Sequence, residues 1–347
     1  MARPFLTVLT APVPSNGRRW YQGVRSAIRP FVKPGVPLPY ASPYPGHHAL
    51  VRSVVEGLRE IRADFNFNPR RTGDVGRAVY APENAALAQA AALKRRGRVD
   101  YLVAGPVNAL FPDEADGALL MPEIDRLIIA CDWVKQLYAE APQLAAKSVA
   151  CPCGVDVTFW TPTQGVDRTK AAAIYWKSGD EAFCEQVEQI VRGFGLEPRR
   201  LRSGHGEHAH FSREEFRALL DQASVGVFLS AFETQGIALA EAWSMNVPTL
   251  AWDPQGTASW RGRSFRSGSS APYLTAATGR LWRTVDDLAA VLRDVLAEPT
   301  SFQPRQWVLE HMTDAICSAA LYRIIREGAA GSVGPIRQAG SVGPIGP

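Results

Sequence analysis

The sequence lacks any uninterrupted apolar run of the ~20 residues that a membrane-spanning helix needs. Its longest apolar runs, such as 127–131, are only long enough for a strand. Five cysteines in 347 residues are an odd number and too few for a disulfide framework, which favours a reducing compartment. The formal net charge of +4 is too small to indicate a nucleic-acid-binding protein. We therefore expect a cytoplasmic protein that does not bind nucleic acid.

The composition is that of a folded protein. Hydrophobic residues make up 46% of the chain and charged residues 21%, which excludes disorder of the whole chain. At ~100–200 residues per domain, the length indicates two or three domains, each able to bury its own core.

Short apolar runs alternate with segments that have helical spacing of apolar residues. This alternation is typical of βαβ units, and it predicts an α/β protein with parallel sheets and helices on both faces. The pattern repeats after residue 155, which predicts two domains of this kind. We assign 1–155 to the first domain, 156–304 to the second, 305–327 to a C-terminal helix and 328–347 to a disordered tail. The tail assignment rests on a repeat of six residues, Gly-Ser-Val-Gly-Pro-Ile, at 331–336 and 340–345.

The strongest local pattern runs from Ser230 to Pro248. A strand end is followed by Glu233, a turn at Gly236, and a helix that carries Glu241. Glycine lets a backbone approach a ligand closely, and the free N–H groups of a helix N-terminus suit a phosphate. Ligands bind at the carboxyl ends of strands in open α/β sheets, where Glu233 is expected. An alternative is that Glu241 faces solvent and Glu233 is a helix cap.

This pattern resembles the Glu-x7-Glu motif of retaining glycosyltransferases with the GT-B fold, of the family 4 type. Other segments that resemble the family, in the same order along the chain, are Ala130–Lys135, Val149–Asp156 with Phe159 and Pro162, Asp221–Ser230 and Tyr273–Leu281. The resemblance implies two Rossmann-like domains facing a cleft, with the C-terminal helix crossing back to the first domain. It also implies that the first domain binds the acceptor and the second binds a nucleotide-sugar donor.

Roles for individual residues follow from the resemblance. Glu241 is expected to hydrogen-bond the ribose hydroxyls of the donor, and Glu233 to contact hydroxyls of the transferred sugar. The backbone at Gly236 and Ile237 is expected to hold the distal phosphate, and Gln235 is counted among the donor-binding residues.

The family usually places two cations after the first strand of the second domain, where they neutralise the departing diphosphate. Lys177 matches the first, and no basic residue follows at the second position. Two interpretations of this departure stay open. Either the missing charge comes from Arg261, Arg263 and Arg266, or the Gly/Ser-rich segment that carries them, 256–270, is a solvated loop.

The expected chemistry needs no metal and no bound cofactor. Loss of a nucleoside diphosphate from a sugar makes stabilisation of the departing phosphates the main catalytic task. The metal-dependent class of glycosyltransferases uses an Asp-any-Asp motif, which this sequence lacks. We therefore predict metal-independent transfer, and the resemblance implies retention of the anomeric configuration.

Two further segments are candidate donor contacts. Asn16 and Gly17 follow the first strand and resemble the loop that closes over the diphosphate. The resemblance also places the loop 203–211 beside the nucleobase pocket, where His210 or Phe211 could stack on the base. This loop carries three histidines, His205, His208 and His210. The alternatives are that they bind a metal or that the loop is a plain surface loop.

On the acceptor side, His47 and His48 begin a helix of the first domain. They are candidates for an acceptor-side base or a phosphate contact, and a surface helix end is the alternative. The acceptor itself, whether a glycan, a lipid-linked sugar or a small molecule, is not encoded in a readable motif. A different class of function also stays open: a non-catalytic GT-B relative that binds a nucleotide or a glycan.

The charge is unevenly distributed. Residues 1–155 hold 19 basic and 13 acidic residues, whereas residues 156–347 hold 19 and 21. The basic excess therefore lies in the half expected to bind the acceptor. This favours an anionic acceptor or a peripheral contact with the inner face of an anionic membrane, with a contribution to solubility as the alternative.

Overall fold

A computed structural model describes residues 3–14, 47–106, 109–168, 170–203 and 211–330. The chain divides into two compact units. The first comprises residues 1–129, 135–151 and 318–335, and the second comprises 130–134, 152–317 and 336–347. Both units are therefore built from separate stretches of the chain.

The first unit contains a six-stranded parallel sheet in the order β2-β1-β3-β4-β5-β6. Its elements in chain order are β1 (Leu6–Val8), α1 (His48–Glu60), β2 (Phe65–Phe67), β3 (Ala78–Ala81), α2 (Asn84–Arg95), β4 (Tyr101–Ala104), the single turn α3 (Glu114–Gly117), β5 (Arg126–Ile129), α4 (Pro142–Lys147) and β6 (Ser148–Ala150). Strands β1 and β3 are buried at every position, as expected for the centre of a parallel sheet.

The second unit contains a five-stranded parallel sheet in the order β13-β10-β9-β7-β8. Its elements are β7 (Ala171–Trp176), α5 (Glu181–Gly193), β8 (Glu197–Arg202), α6 (Arg213–Gln222), β9 (Ala223–Leu229), α7 (Ile237–Ser244), β10 (Thr249–Trp252), an antiparallel hairpin of β11 (Thr257–Trp260) and β12 (Arg263–Arg266), β13 (Gly279–Trp282), α8 (Val285–Ala297) and α9 (Pro304–His311). The predicted α/β class with parallel sheets is confirmed in both units.

The C-terminal segment forms two helices, α9 and α10 (Asp314–Ala329), where the sequence pattern predicts one. The break lies where Val155 contacts this segment: the backbone N–H of Val155 donates to the carbonyl of Met312 at 2.9 Å, and Val155 bridges to Thr313. Residues 318–329 of α10 are part of the first unit. There the Ser318 hydroxyl donates to the carbonyls of Ser53 and Val54 in α1.

No helix among the described residues is both long and apolar enough to cross a membrane. All five cysteines are buried, and none forms a disulfide among the described residues. Burial raises the pKa of the Cys131 thiol to about 12, which keeps it protonated at neutral pH. The domain limits given from the sequence stay predictions, and the repeated tail from residue 331 onward lies outside the described residues.

Candidate functional site

In the second sheet, β7 and β9 are neighbours, so the loops that follow these two strands begin side by side. Strand β7 lies between β8 and β9, so the chain moves to one side of β7 first and to the other side afterwards. The point between β7 and β9 is where the strand order reverses. Open α/β sheets bind ligands there, outside the carboxyl ends of the strands.

The side chains that follow β7 and β9 meet at this point. Lys177 is the first residue after β7, and its Nζ donates to Oε1 of Glu233, four residues after β9, at 2.7 Å. The Ser230 hydroxyl donates to the same oxygen at 2.9 Å. The structure therefore brings together Lys177, expected to neutralise the diphosphate, and Glu233, expected to contact the transferred sugar.

Lys177 is charged over the usual pH range. Loss of solvent is the largest single effect and lowers the pKa of Lys177. The charge of Glu233, the Tyr175 phenol and the hydrogen bond to Glu233 together raise it by more, so the net shift is upward. The lysine side chain is 37% exposed and the glutamate side chain 16%. An ammonium group has three N–H donors, and the contact with Glu233 uses one.

Tyr175, the last residue but one of β7, interacts electrostatically with both members of this pair and was not singled out from the sequence. Its hydroxyl donates to the Ser203 hydroxyl at 2.9 Å. Burial raises the pKa of the phenol, and the negative charges of Glu233 and Glu241 raise it further. Both glutamates of the Glu-x7-Glu pattern thus act electrostatically on one buried tyrosine.

Gly236 forms the turn into α7. It adopts a left-handed conformation, with φ 76° and ψ 54°, at the N-cap position of the helix. A Cβ atom there would lie 2.8 Å from Cδ1 of Leu239. The first turn of α7, which begins at Ile237, leaves backbone N–H groups without intrahelical partners. Glu241 is half-buried on the same helix.

Gln235 is buried and binds the backbone of Cys153 with both ends of its amide. Its Oε1 accepts from the Cys153 N–H at 3.0 Å, and its Nε2 donates to the Cys153 carbonyl at 2.8 Å. The amide therefore joins the loop before α7 to the segment 152–156 of the same unit. Its expected contact with the donor stays a prediction.

The chain has little sequence similarity to known proteins but clear similarity to solved structures. No family model matches it, and no curated protein does. Sucrose-phosphate synthase from Thermosynechococcus elongatus matches with a TM-score of 0.52 at 12% identity, over 95% of this chain and 100% of that one. Anabaena HepE in complex with UDP and glucose matches with a TM-score of 0.57 at 9% identity, over 94% of this chain and 100% of that one.

The catalytic domain of starch synthase IV from Arabidopsis thaliana, bound to ADP and acarbose, has a TM-score of 0.56 at 8% identity, over 95% of this chain and 100% of that one. These three proteins are GT-B glycosyltransferases, and the match extends over nearly the whole of each chain. The chain has the GT-B fold. The fold expected from the resemblance is thus confirmed, while the assignment to family 4 stays a prediction.

Several predicted donor contacts of this GT-B chain lie outside the described residues. These are Asn16, Gly17 and His210, and the same holds for His205 and His208. Among the described residues, no group of three His, Cys, Asp or Glu side chains is arranged to hold a metal ion.

Phe211 is described and is partly buried. Its ring packs against Tyr175, with centroids 6.1 Å apart, and against Phe216 at 5.4 Å. It therefore contributes to the aromatic core next to β7. Its stacking on a nucleobase stays a prediction.

The first unit of the GT-B chain has a similar reversal of strand order, between β1 and β3. The backbone N–H of His47 donates at 2.6 Å to Oε1 of Glu83, which follows β3. His48 is the first residue of α1 and is partly exposed. Glu83 is an additional candidate that the sequence analysis missed, because a single glutamate before an alanine-rich helix has no distinguishing pattern.

The segment 256–270 is not an irregular loop, although Arg261, Arg263 and Arg266 are all exposed, as the solvated interpretation predicts. It contains the hairpin β11–β12, which turns at Arg261 and Gly262, both with positive φ. Phe265 is buried and packs edge-to-face on Phe232, the residue before Glu233, at 5.0 Å. Apolar residues on one face of the hairpin therefore fix it beside the Lys177–Glu233 pair.

Proposed function

We propose that this protein is a glycosyltransferase that moves a sugar from a nucleotide-sugar donor to an acceptor. The observation that supports the proposal best is the Lys177–Glu233 pair at the reversal of strand order, followed directly by the N-terminus of α7. The GT-B fold agrees with it. So do the nucleotides in two of the similar structures, UDP in HepE and ADP in starch synthase IV.

Each group at the site has a task that fits its chemistry. Lys177 and the N–H groups at Gly236 and Ile237 would bind the diphosphate, since a cation and a helix N-terminus both favour negative charge. Among the described residues, both bonds to the Glu233 carboxylate are made to Oε1, so Oε2 is available to accept from a sugar hydroxyl. Glu241 would bind the ribose hydroxyls.

The proposed reaction is a metal-independent transfer with retention. As the anomeric bond breaks, negative charge develops on the departing diphosphate, and the fixed positive groups at this position stabilise it. A phosphate oxygen of the donor would help to deprotonate the acceptor hydroxyl. The acceptor, which is a glycan, a lipid-linked sugar or a small molecule, would bind to the first unit near His47 and His48.

The donor site is tested with UDP, ADP and GDP, each alone and as its glucose derivative. A ligand that binds only the native state raises its stability, so at least one of these compounds should raise the thermal unfolding midpoint. Lys177→Ala should weaken binding of that compound about tenfold, the scale of a hydrogen bond to a charged group. Calorimetry measures both effects.

Lys170→Ala is the matched control. Lys170 directly precedes β7, at the end of the strand opposite to Lys177, and is exposed. The control removes the same charge from the same unit, so binding should be unchanged. If none of the six compounds stabilises the wild-type protein, or if both variants lose affinity equally, the proposed donor site is wrong.

One observation favours a second candidate function, a non-catalytic module that binds a nucleotide or a glycan. The second phosphate cation expected from the resemblance is absent after Lys177, and Glu233 already compensates the charge of that lysine. Release of nucleoside diphosphate from the bound donor separates the two functions. Turnover that Glu233→Ala abolishes supports the enzyme, whereas binding without turnover supports the module.

A further inference from the structure

Glu233 is held through its backbone as well as through its carboxylate. Its N–H donates to the carbonyl of Ser269 at 3.0 Å, and its carbonyl accepts from the indole Nε1 of Trp133 at 3.0 Å. The two bonds fix the peptide groups on both sides of the residue. The starting point and direction of the Glu233 side chain are therefore set by residues far away in the chain.

Trp133 is itself fixed in place. The residue is 9% exposed, and its ring stacks on the ring of Phe265, with an interplanar angle of 8° and centroids 6.3 Å apart. Gly268 covers another part of the indole, and a Cβ atom at residue 268 would lie 2.5 Å from Cβ and Cγ of Trp133. The position at 268 therefore requires glycine if the indole is to stay where it is.

We infer that Trp133 is a positioning residue, whose indole N–H orients Glu233 toward the transferred sugar of the donor. The inference rests on the proposed function of Glu233. Trp133 donates to the backbone carbonyl and not to the carboxylate, so it acts on the direction of the side chain and not on its charge. The bond is made to neither Lys177 nor the N-terminus of α7, and a lysine released from Glu233 keeps its charge, so the diphosphate should bind without it.

The first experiment tests, without any ligand, whether the indole N–H of Trp133 fixes the backbone at Glu233. Trp133→Phe keeps an aromatic ring next to Phe265 and removes the N–H donor. Trp252→Phe is the matched control, since it removes an indole N–H that donates to the carbonyl of Arg283 at 3.1 Å in the same unit. Backbone amide exchange over residues 230–236 should become faster in Trp133→Phe and stay unchanged in Trp252→Phe.

The second experiment measures affinity and turnover. The probes are UDP, ADP and GDP and their glucose derivatives, studied by calorimetry and by release of the diphosphate. In Trp133→Phe, affinity for the nucleotide-glucose and kcat should each fall about fivefold, the scale of one neutral hydrogen bond. Affinity for the nucleoside diphosphate alone should stay within twofold of wild type, a split that general destabilisation would not produce.

Phe265→Leu is a second variant in case Trp133→Phe does not fold. It keeps the indole N–H and weakens the stacking, so it should change the same quantities in the same direction by a smaller factor. Unchanged exchange at 230–236, or a wild-type ratio of the two affinities, overturns the inference while the proposed function stands. Absence of binding by all six probes to the wild-type protein overturns the proposed function, and the inference with it.

Discussion

Lys177 and Glu233 are 56 residues apart in the chain and 2.7 Å apart in the second unit. The pair connects the loops that follow two neighbouring strands, and both of its members are proposed to contact the donor. Since the glutamate side chain is mostly shielded from water, removal of the lysine would leave a carboxylate without its cation.

Lys177→Met is expected to destabilise the protein by about 1–2 kcal/mol at pH 7, because a charged hydrogen bond is lost. The pKa of Lys177 is raised above its ordinary value of 10.5 in the folded protein. A raised pKa means that the contribution is fully present below the unfolded pKa and is lost as the pH rises through the folded pKa. Urea unfolding at pH 7, 9 and 11 should show a constant difference between wild type and variant up to pH 9 and a smaller one at pH 11.

A matched measurement uses Lys170→Met. This change removes a lysine that lies outside the site, so it should alter the unfolding free energy by less than ~0.5 kcal/mol. A pH-dependent difference of the same size in Lys170→Met would show that the effect is one of overall charge and contradict the prediction for Lys177.

At the scale of elements, α7 depends on its first turn. Gly236→Ala should destabilise the second unit by about 1–2 kcal/mol, since a Cβ is disfavoured in the left-handed conformation. The same change should weaken binding of nucleoside diphosphates. Gly193→Ala is the control, because Gly193 is the last residue of α5 and has no atom within 4 Å of the added Cβ. It should leave stability unchanged or raise it slightly.

Elements with strong local signals were predictable from the sequence. Helix α6 (Arg213–Gln222) has such signals, and α7 (Ile237–Ser244) has one in the turn at Gly236. For α6 the signal is a capping box, in which Ser212 and Glu215 satisfy each other's backbone N–H groups. Strand β8 has no such signal, because its sequence, Glu-Pro-Arg-Arg-Leu-Arg, is polar and forms an edge of the sheet.

The site was predictable only where its residues are close in sequence. Glu233, Gly236 and Glu241 share one motif, and Lys177 follows an apolar strand, so all four were named in advance. The proposed contribution of Trp133 was not predictable. Its contact with Glu233 joins residues that are 100 positions apart, and no local sequence pattern indicates a contact over such a separation. The hairpin β11–β12 was not predictable as two strands, because its few large apolar residues, Trp260 and Phe265, lie among serines, glycines and arginines.

At the scale of the whole molecule, the first unit depends on the end of α10. Ser318 bonds to α1, Tyr322 packs on Phe5 with centroids 5.8 Å apart, and Ile325 is fully buried. A chain that ends at residue 317 should lose at least about 3 kcal/mol of stability in this unit, because several large apolar side chains are removed from its core. Amide exchange in α1 measures the loss. A chain that ends at residue 330 keeps α10 and should match the full-length protein.

The basic excess of residues 1–155 leads to a salt-dependent prediction. If a contacted membrane is anionic, binding to vesicles with anionic lipids should fall as salt is raised from 50 to 300 mM. If the acceptor is anionic, turnover with it should fall over the same range. The reason is screening, since the Debye length drops below about 10 Å within this range. Vesicles of neutral lipid are the control. If vesicle binding and turnover are the same at both salt concentrations, the excess charge contributes only to solubility.

The five residues Ala130–Val134 are part of the second unit, although the chain on both sides of them is part of the first. Trp133 lies in this segment, and its ring partner Phe265 is more than 130 residues further along the chain. Contacts between residues so distant in sequence form late, since a long loop must close before they contribute. During synthesis the carboxylate of Glu233 would therefore acquire its final direction only after the hairpin has left the ribosome. Until then the proposed contact of Glu233 with the sugar would lack its final orientation, even if strands β7 and β9 had already paired.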